Sequence, residues 1–241
     1  AITETPLNFR GDYLAVVNAN VAGGKTDAVI KQKIKLSTKI ESDGRIDNYL
    51  TVERTHEGTD KQDPWYQVKN KTYTKVLTPQ NSRIVFMKGG EARTILPIVD
   101  YKTTSYEEDE DLAALEKTTK PLSEFNAETF EESGKTGFGT WLTVPPRKTK
   151  KLELEYITPT KLNLNEKEIP YHFVFDRQSG VPTTLDILLE APEGYAWKES
   201  GSPRFNYVSE DPPRQVIIDV TLIGDPKGGQ PAPQSDSQTE E

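Results

Sequence analysis

Residues 27–56 read DAVIKQKIKLSTKIESDGRIDNYLTVERTH, and this stretch predicts a long β-hairpin. Alternation with a period of two is typical of a strand that has one buried face and one face in water. Lysine and acidic residues fill most of the odd positions, which we therefore assign to the wet face. The apolar residues expected on the buried face are Ala28, Ile30, Ile34, Leu36, Ile40, Ile46, Leu50 and Val52.

The Ser-Asp-Gly loop at 42–44 predicts how the two strands pair. The apolar residues of both strands occupy even positions. Both apolar sets therefore face one core only if the residue numbers of each cross-strand pair have an even sum. A three-residue loop gives this register when its glycine adopts the left-handed conformation of a bulged turn. We therefore expect Lys39 opposite Asp47 and Lys33 opposite Glu53. Each such cross-strand pair of opposite charge is worth roughly a few tenths of a kcal/mol.

The same alternation returns along the rest of the chain. Apolar side chains recur at every second position in four further stretches, Leu152–Tyr156, Tyr171–Phe175, Leu185–Leu189 and Val216–Leu222. Glycine and proline residues between them supply turn signals, a spacing that favours a sandwich of antiparallel strands. The predicted fold class is all-β: an antiparallel β-sandwich, built as two sandwich-like units with long hairpins.

An acidic stretch divides the two patterned regions. Ten aspartate and glutamate residues fall between positions 106 and 132, where large apolar residues are few. We expect an N-terminal β domain over 12–103, an acidic connecting segment over 104–135 that forms a long mobile excursion, and a C-terminal β-sandwich domain over 136–224. Residues 225–241 are rich in Gly, Pro, Gln, Ser and acids, and are expected to form a disordered tail.

Composition excludes several classes of protein. The chain has 241 residues, a net charge of −8, no cysteine and only 34% apolar residues, which suits the thin core of a sandwich. The charge argues against a nucleic-acid partner. The missing thiols exclude disulfides, thiolate metal sites and cysteine nucleophiles. No apolar run approaches the ~18 residues of a membrane span, so we expect membrane attachment only through an anchor outside this chain.

No motif in the sequence places a catalytic group beside its partner. Gly24-Lys25-Thr26 lacks the earlier glycine of a phosphate-binding loop, and a patterned strand follows it where that motif needs a helix. His56 and His172 stand far apart and outside any metal-ligand spacing. We therefore predict no catalytic residue, no metal site and no cofactor. Paired carboxylates for glycoside hydrolysis remain an alternative, because nothing selects one pair among 38 acidic residues.

Aromatic residues are the best candidates for ligand contact. Trp65 and Tyr66 follow a proline in a polar loop, where an exposed ring could stack on a sugar or on a partner's side chain. Trp141 and Trp197 have the same potential. Packing in the core is the alternative for each tryptophan. We select Trp65 and Tyr66 as the candidate ligand-binding residues.

Residues 12–27, DYLAVVNANVAGGKTD, resemble the C-terminal region of a bacterial cell-envelope family known only as a domain of unknown function. The shared features are a short strand, an Asn-containing turn, a G-x-K-[ST]-D motif and a long alternating strand with an acidic-Gly turn. The acidic insertion at 106–132 departs from the family pattern. Further matches are Trp65-Tyr66, Asn70–Tyr73, Lys75–Pro79, Phe138-Gly139, Val144-Pro145 and Leu152–Tyr156.

The resemblance spans residues 12–224 and implies an extracytoplasmic, β-rich domain at the bacterial cell surface. Members of the family typically carry an N-terminal membrane anchor and a large outside region, and they bring no catalytic residues. We therefore expect a non-enzymatic structural or adhesion module whose partner is a protein or glycan of the envelope.

Two alternatives to this function remain: a carbohydrate-binding module, and a hydrolase with an unrecognised carboxylate site. A smooth sandwich without a cleft favours the structural or adhesion module. An exposed row of aromatic rings favours the carbohydrate-binding module. A deep cleft with converging carboxylates of perturbed pKa favours the hydrolase.

Overall fold

The structure is a computed structural model that describes residues 11–21, 24–93, 107 and 109–224. The expected tail at 225–241 lies outside the described residues. One α-helix is described, α1 (Glu110–Thr118). The strands in chain order are β1 (Asp12–Asn20), β2 (Ile30–Ile40), β3 (Arg45–His56), β4 (Asn70–Pro79), β5 (Arg83–Lys88), β6 (Lys120–Leu122), β7 (Ala127–Glu132), β8 (Lys135–Val144), β9 (Thr149–Lys161), β10 (Glu168–Arg177), β11 (Thr183–Glu190), β12 (Tyr195–Trp197), β13 (Arg204–Ser209) and β14 (Gln215–Gly224).

The strands form two open sheets, which confirms the predicted all-β fold. The larger sheet has eight strands in the order β12-β14-β10-β1-β4-β8-β7-β6, and the smaller has six in the order β13-β11-β2-β3-β9-β5. Pairing is antiparallel except between β1 and β10 and between β2 and β11. The two parallel pairs make both sheets mixed.

The chain does not divide into the two sandwich units expected at 12–103 and 136–224. Each sheet takes strands from both ranges: β1 lies between β10 and β4, and β2 lies between β11 and β3. The residues of β1 and β10 are paired from Asp12↔Phe173 to Val16↔Arg177. Alternation shows which face of a strand is buried, but it does not show which strand lies beside it. The predicted partition is therefore wrong at the level of the sheets.

The register of the long hairpin is confirmed. Lys39 lies opposite Asp47 and Lys33 opposite Glu53, and the even-numbered apolar side chains of both strands are buried. Ala28 is the exception, because the chain forms a short 3-10 turn before β2 begins, and this alanine is exposed. The same turn follows Lys25, so this lysine is not at the start of an α-helix.

The acidic connecting segment is largely ordered where it is described, contrary to the predicted mobile excursion. Residues 110–118 form α1, and β7 pairs along its length with β8. Phe130 of β7 is buried against Tyr13, on the face of the larger sheet that points away from the other sheet. Leu115 of α1 packs against the same small cluster. This outer cluster supplies the apolar contacts that the acidic composition seemed to lack.

The main core lies between the two sheets. It combines side chains of the larger sheet, such as Leu14 and Phe173, with those of the smaller sheet, such as Leu50 and Ile187. Trp197 belongs to this core: it is fully buried and its Nε1 donates to the Leu189 carbonyl at 3.1 Å. For this tryptophan the core alternative is therefore correct.

Gly44 should be intolerant of any side chain. Its φ is +86°, and a Cβ on it would lie 2.1 Å from the Leu162 carbonyl oxygen. We expect Gly44→Ala to lower the free energy of unfolding by about 2 kcal/mol, because a left-handed alanine is strained and the Leu162 backbone must also move.

Urea unfolding measures this loss, with Gly194→Ala as the matched control. Gly194 has a similar φ of +83°, but a Cβ there meets nothing within 4 Å. The control should therefore report only the conformational cost, about 1 kcal/mol. Equal losses in the two variants would contradict the predicted clash.

Candidate functional site

The candidate site lies at one end of the sandwich, where residues 57–69 connect β3 to β4. Pro64–Tyr66 form a single 3-10 turn. This turn holds the Trp65 side chain in solvent: the residue is 57% exposed, whereas Tyr66 is half-buried. An open depression of about 550 Å³, here called the Trp65 groove, lies beside it and is lined by Gly24, Pro64, Trp65, Val68, Lys69 and Lys71.

Glycine at position 24 lets two loops approach closely at the floor of the groove. Its φ is +63°, and a Cβ on it would lie 2.9 Å from the Trp65 carbonyl oxygen and 3.0 Å from a Val68 methyl group. Gly24, the glycine of the Gly24-Lys25-Thr26 sequence considered for a phosphate-binding loop, thus has a local packing role: it lets the turn before β2 lie against the Trp65 loop.

His56 ties the two ends of the Trp65 loop together. It is fully buried at the end of β3. The Gly58 amide donates to its Nδ1 at 3.0 Å, which places the ring proton on Nε2, and Nε2 donates to the Val68 carbonyl at 2.9 Å. Both ring nitrogens are therefore engaged by the chain itself. This geometry gives His56 a structural role, which the sequence analysis did not identify.

Arg54 is buried below the Trp65 loop and links the segments next to it. Its side chain is fully buried, Nη1 donates to Gln32 Oε1 at 3.0 Å, and Nη2 forms an ion pair with Asp27 Oδ1 at 3.3 Å. Burial lowers the pKa of Arg54 to about 10, an effect that the Asp27 charge opposes. Asn70 at the start of β4 donates to the same Asp27 oxygen at 2.9 Å and to Thr26 Oγ1 at 3.0 Å. Three segments are thus joined around one guanidinium.

The chemistry of the Trp65 groove suits binding. The indole and the 45%-exposed Val68 offer an apolar surface, and Lys69 and Lys71 offer ammonium groups at its edge. None of the six described lining residues carries a carboxylate, an imidazole or a hydroxyl group that could act as acid, base or nucleophile. Within the described residues, no group of three or more His, Asp and Glu side chains could hold a metal ion.

A buried carboxylate elsewhere does not make a hydrolase site. Asp12 is fully buried between the sheets, and burial raises its pKa to about 6. It accepts hydrogen bonds from the Tyr13 amide at 2.8 Å, Asn48 Nδ2 at 3.0 Å and the Tyr171 hydroxyl at 3.2 Å. The carboxylate is enclosed by the core and presents no face to a substrate. Its perturbed pKa therefore concerns stability.

Trp141 lies at a different place, on the outer face of the larger sheet. The structure brings it together with Tyr73, Arg93 and Glu128 around a second cavity. Spacing in the sequence could not reveal this cluster, because its members come from β4, the segment after β5, β7 and β8. One signal was present: Gly137 and Gly139 share one face of β8 and leave room there for the aromatic rings of neighbouring strands.

Comparison with known proteins gives no family. No family model matches the chain, and no curated protein matches it. Among solved structures, a putative nutrient binding protein from Legionella pneumophila matches over 88% of this chain and 71% of its own, with a TM-score of 0.42 and 10% identity.

Two structures of a zinc metallopeptidase from Deinococcus radiodurans also match. One, a variant bound to a Tyr-Ser-Ala substrate, matches over 81% of this chain and 42% of its own, with a TM-score of 0.35 and 9% identity. The other matches over 83% and 43%, with a TM-score of 0.34 and 9% identity. We draw no functional argument from likenesses this distant.

In the described residues, no helix is long and apolar enough to cross a membrane.

Proposed function

We propose that this protein is a non-enzymatic interaction module that binds its partner through the Trp65 groove. The observation that supports the proposal best is a tryptophan held 57% exposed on a loop that is fixed at both ends. Tryptophan is among the residues that dominate binding energy at interfaces. A fixed loop also reduces the conformational entropy that is lost on binding.

The contacts below the loop support a preformed site. His56 closes the loop, and the Arg54 ion pair holds the turn next to it. Desolvating a guanidinium is costly, and the ion pair and hydrogen bonds of Arg54 offset that cost while they hold the turn at Asp27 in place. The geometry therefore fits a surface kept in one conformation for recognition.

The cellular setting that we propose is the bacterial cell envelope, outside the cytoplasm. It rests on the resemblance of residues 12–27 and of the later motifs to an envelope family. In that setting the partner is a protein or a glycan of the envelope, and any membrane attachment comes from an anchor outside this chain. The role is then structural or adhesive.

A carbohydrate-binding module is the second candidate, and one observation favours it. The exposed Trp65 indole stands beside an open depression, where the apolar face of a sugar ring could stack on it while Lys69 and Lys71 contact hydroxyl or acidic groups. The hydrolase alternative has less support, because the groove lining lacks the paired carboxylates that glycoside hydrolysis needs.

We expect Trp65→Ala to weaken binding at least about thirtyfold while changing the free energy of unfolding by less than about 0.5 kcal/mol, since substitutions at exposed positions rarely cost more. A glycan array and a pull-down from a bacterial envelope fraction would be run with the wild-type protein and this variant. Signal on the array identifies a glycan partner, and signal only in the pull-down identifies a protein.

Ile217→Ala is the matched control, because Ile217 is similarly exposed, at 54%, on β14. It should retain every interaction of the wild type. A folded Trp65→Ala variant that also retains every interaction would remove the groove from the proposal. Hydrolysis of a polysaccharide by the purified protein, lost on changing one carboxylate, would refute the non-enzymatic function.

A further inference from the structure

A second cavity, of about 340 Å³, lies on the outer face of the larger sheet and is distinct from the Trp65 groove. We call it the Trp141 pocket. It combines aromatic, cationic and acidic side chains in a small space. Its lining includes Tyr73 of β4, Glu91, Arg93, Glu128 of β7 and Trp141 of β8.

Two aromatic rings form one wall of the Trp141 pocket. Tyr73 and Trp141 meet edge to face, with ring centroids 5.3 Å apart and planes at 61°. Gly139 makes this possible, because a Cβ there would lie 1.9 Å from the Tyr73 hydroxyl oxygen. The half-buried indole is thereby held in place and presents one face to the pocket.

The face of Trp141 is occupied by a cation from the same chain. The Arg93 guanidinium carbon lies 4.9 Å from the centre of the indole ring, well within the ~6 Å range of a cation–π contact. A backbone hydrogen bond two residues earlier places Arg93 beside the indole: the Glu91 amide donates to the Trp141 carbonyl at 2.8 Å. The Arg93 side chain is otherwise exposed.

Two carboxylates complete the pocket. The Tyr73 hydroxyl donates to Glu128, and burial together with that carboxylate raises the pKa of Tyr73, so the phenol stays protonated. Thr143 Oγ1 donates to Glu91 Oε2 at 2.6 Å. In these hydrogen bonds both carboxylates accept from neutral hydroxyl groups and not from a cationic side chain.

We propose that the Trp141 pocket is a receptor for a guanidinium group, supplied by an exposed arginine side chain of a partner protein. In the free chain Arg93 occupies the receptor as an internal stand-in. The occupant is a cation, because a guanidinium already lies on the ring and two carboxylates line the same space. The net charge of −8 on the whole chain further favours a basic partner.

An internal occupant has a measurable consequence. Arg93 is tethered beside the pocket, where a short tether gives it an effective concentration in the millimolar range or above. A free guanidinium ligand must displace it. Removing the Arg93 charge should therefore strengthen the binding of an external guanidinium about twofold or more, because the apparent dissociation constant of a millimolar probe rises by the effective concentration of the tethered competitor.

The test uses the full chain labelled with ¹⁵N and observes the indole N–H signals of its three tryptophans. The probe is N-acetyl-arginine amide, titrated into the wild type and into Arg93→Gln. Trp65→Phe assigns the Trp65 signal, and buried Trp197 is an internal reference. We expect the Trp141 signal alone to move, with half-saturation at millimolar probe in Arg93→Gln and at about twice that concentration or more in the wild type.

Two controls test whether charge is what the pocket recognises. N-acetyl-citrulline amide has nearly the same shape without the charge, and it should leave the Trp141 signal unmoved. Adding Glu91→Gln and Glu128→Gln to Arg93→Gln keeps the hydroxyl contacts and should weaken binding of the arginine probe several-fold.

Three results would overturn the proposal. The first is no saturable movement of the Trp141 signal in a folded Arg93→Gln variant. The second is equal movement with the citrulline probe. The third is movement with methyl glucoside, which would assign the pocket to sugars. An Arg93→Gln variant that binds the arginine probe no better than the wild type would also show that Arg93 does not act as a stand-in.

Discussion

Arg54→Met is expected to lower the free energy of unfolding by about 4 kcal/mol, the largest effect of any single change considered for this protein. Methionine fills much of the same volume, but it leaves Gln32, Asn70 and Asp27 without the donor that joins them. Removing one partner from a buried ion pair generally costs about 3–5 kcal/mol. The expected loss lies within this range because Asp27 is partly exposed and can regain water.

Urea unfolding of both proteins measures this loss, and Arg204→Met provides the matched control. Arg204 also forms an ion pair, with Glu190 at 3.0 Å, but its side chain is 72% exposed. Pairs of this kind contribute about 0–1 kcal/mol. If Arg54→Met were no more destabilising than Arg204→Met, the buried network would not be what fixes the Trp65 loop.

Asp12→Asn is expected to remove a strong pH dependence of stability. Folding raises the pKa of Asp12 from 3.8 to about 6, so the folded state binds this proton more tightly than the unfolded state. The contribution to stability is therefore fully present below pH 3.8 and is lost as the pH rises through about 6. A shift of about two pKa units corresponds to about 3 kcal/mol.

The free energy of unfolding of wild type and Asp12→Asn would be measured from about pH 4 to pH 8. The free energy of unfolding of Asp12→Asn minus that of the wild type should increase by about 3 kcal/mol as the pH rises, whatever this difference is at about pH 4. Asp60→Asn makes the same substitution at an exposed carboxyl and is the matched control. A difference for Asp12→Asn that is independent of pH would contradict the assignment.

The hairpin of β2 and β3 could be predicted to the residue because its information is local. Alternation assigns each side chain to a face, and a three-residue loop leaves one register that keeps both apolar sets together. The structure pairs Ile40 with Ile46 and Leu36 with Leu50, as expected. Alternation does not predict the exposure of Ala28, because Ala28 lies in the 3-10 turn before β2. That turn packs against the Trp65 loop, which is distant in sequence.

The arrangement of the sheets could not be predicted, because it depends on contacts between distant residues. Nothing in the sequence of β1 indicates that β10 will lie parallel to it, or that β2 will pair with β11. The acidic segment shows the same limit. Phe130, a large buried residue in the described part of this segment, packs against Tyr13, which lies more than a hundred positions earlier in the chain.

For the candidate site, the sequence indicated the exposed Trp65 but did not reveal the buried polar residues that hold its loop in place. Trp65 in a polar loop after proline was recognisable as a surface aromatic. Gln32, Arg54 and His56 occupy even positions, which alternation assigns to the buried face, and that was a signal for a buried polar network. Their partners Asp27 and Asn70 come from other segments, so only the folded structure shows which groups pair with the Arg54 charge.

Binding of the labelled full chain to a bacterial envelope fraction is the measurement that tests the proposed interaction module most directly. Titration gives an apparent dissociation constant for the wild type, for Trp65→Ala and for Ile217→Ala. We predict that Trp65→Ala weakens binding at least about thirtyfold, the effect of losing ~2 kcal/mol at an interface hot spot, and that Ile217→Ala matches the wild type. A folded Trp65→Ala variant that binds as tightly as the wild type would contradict the account.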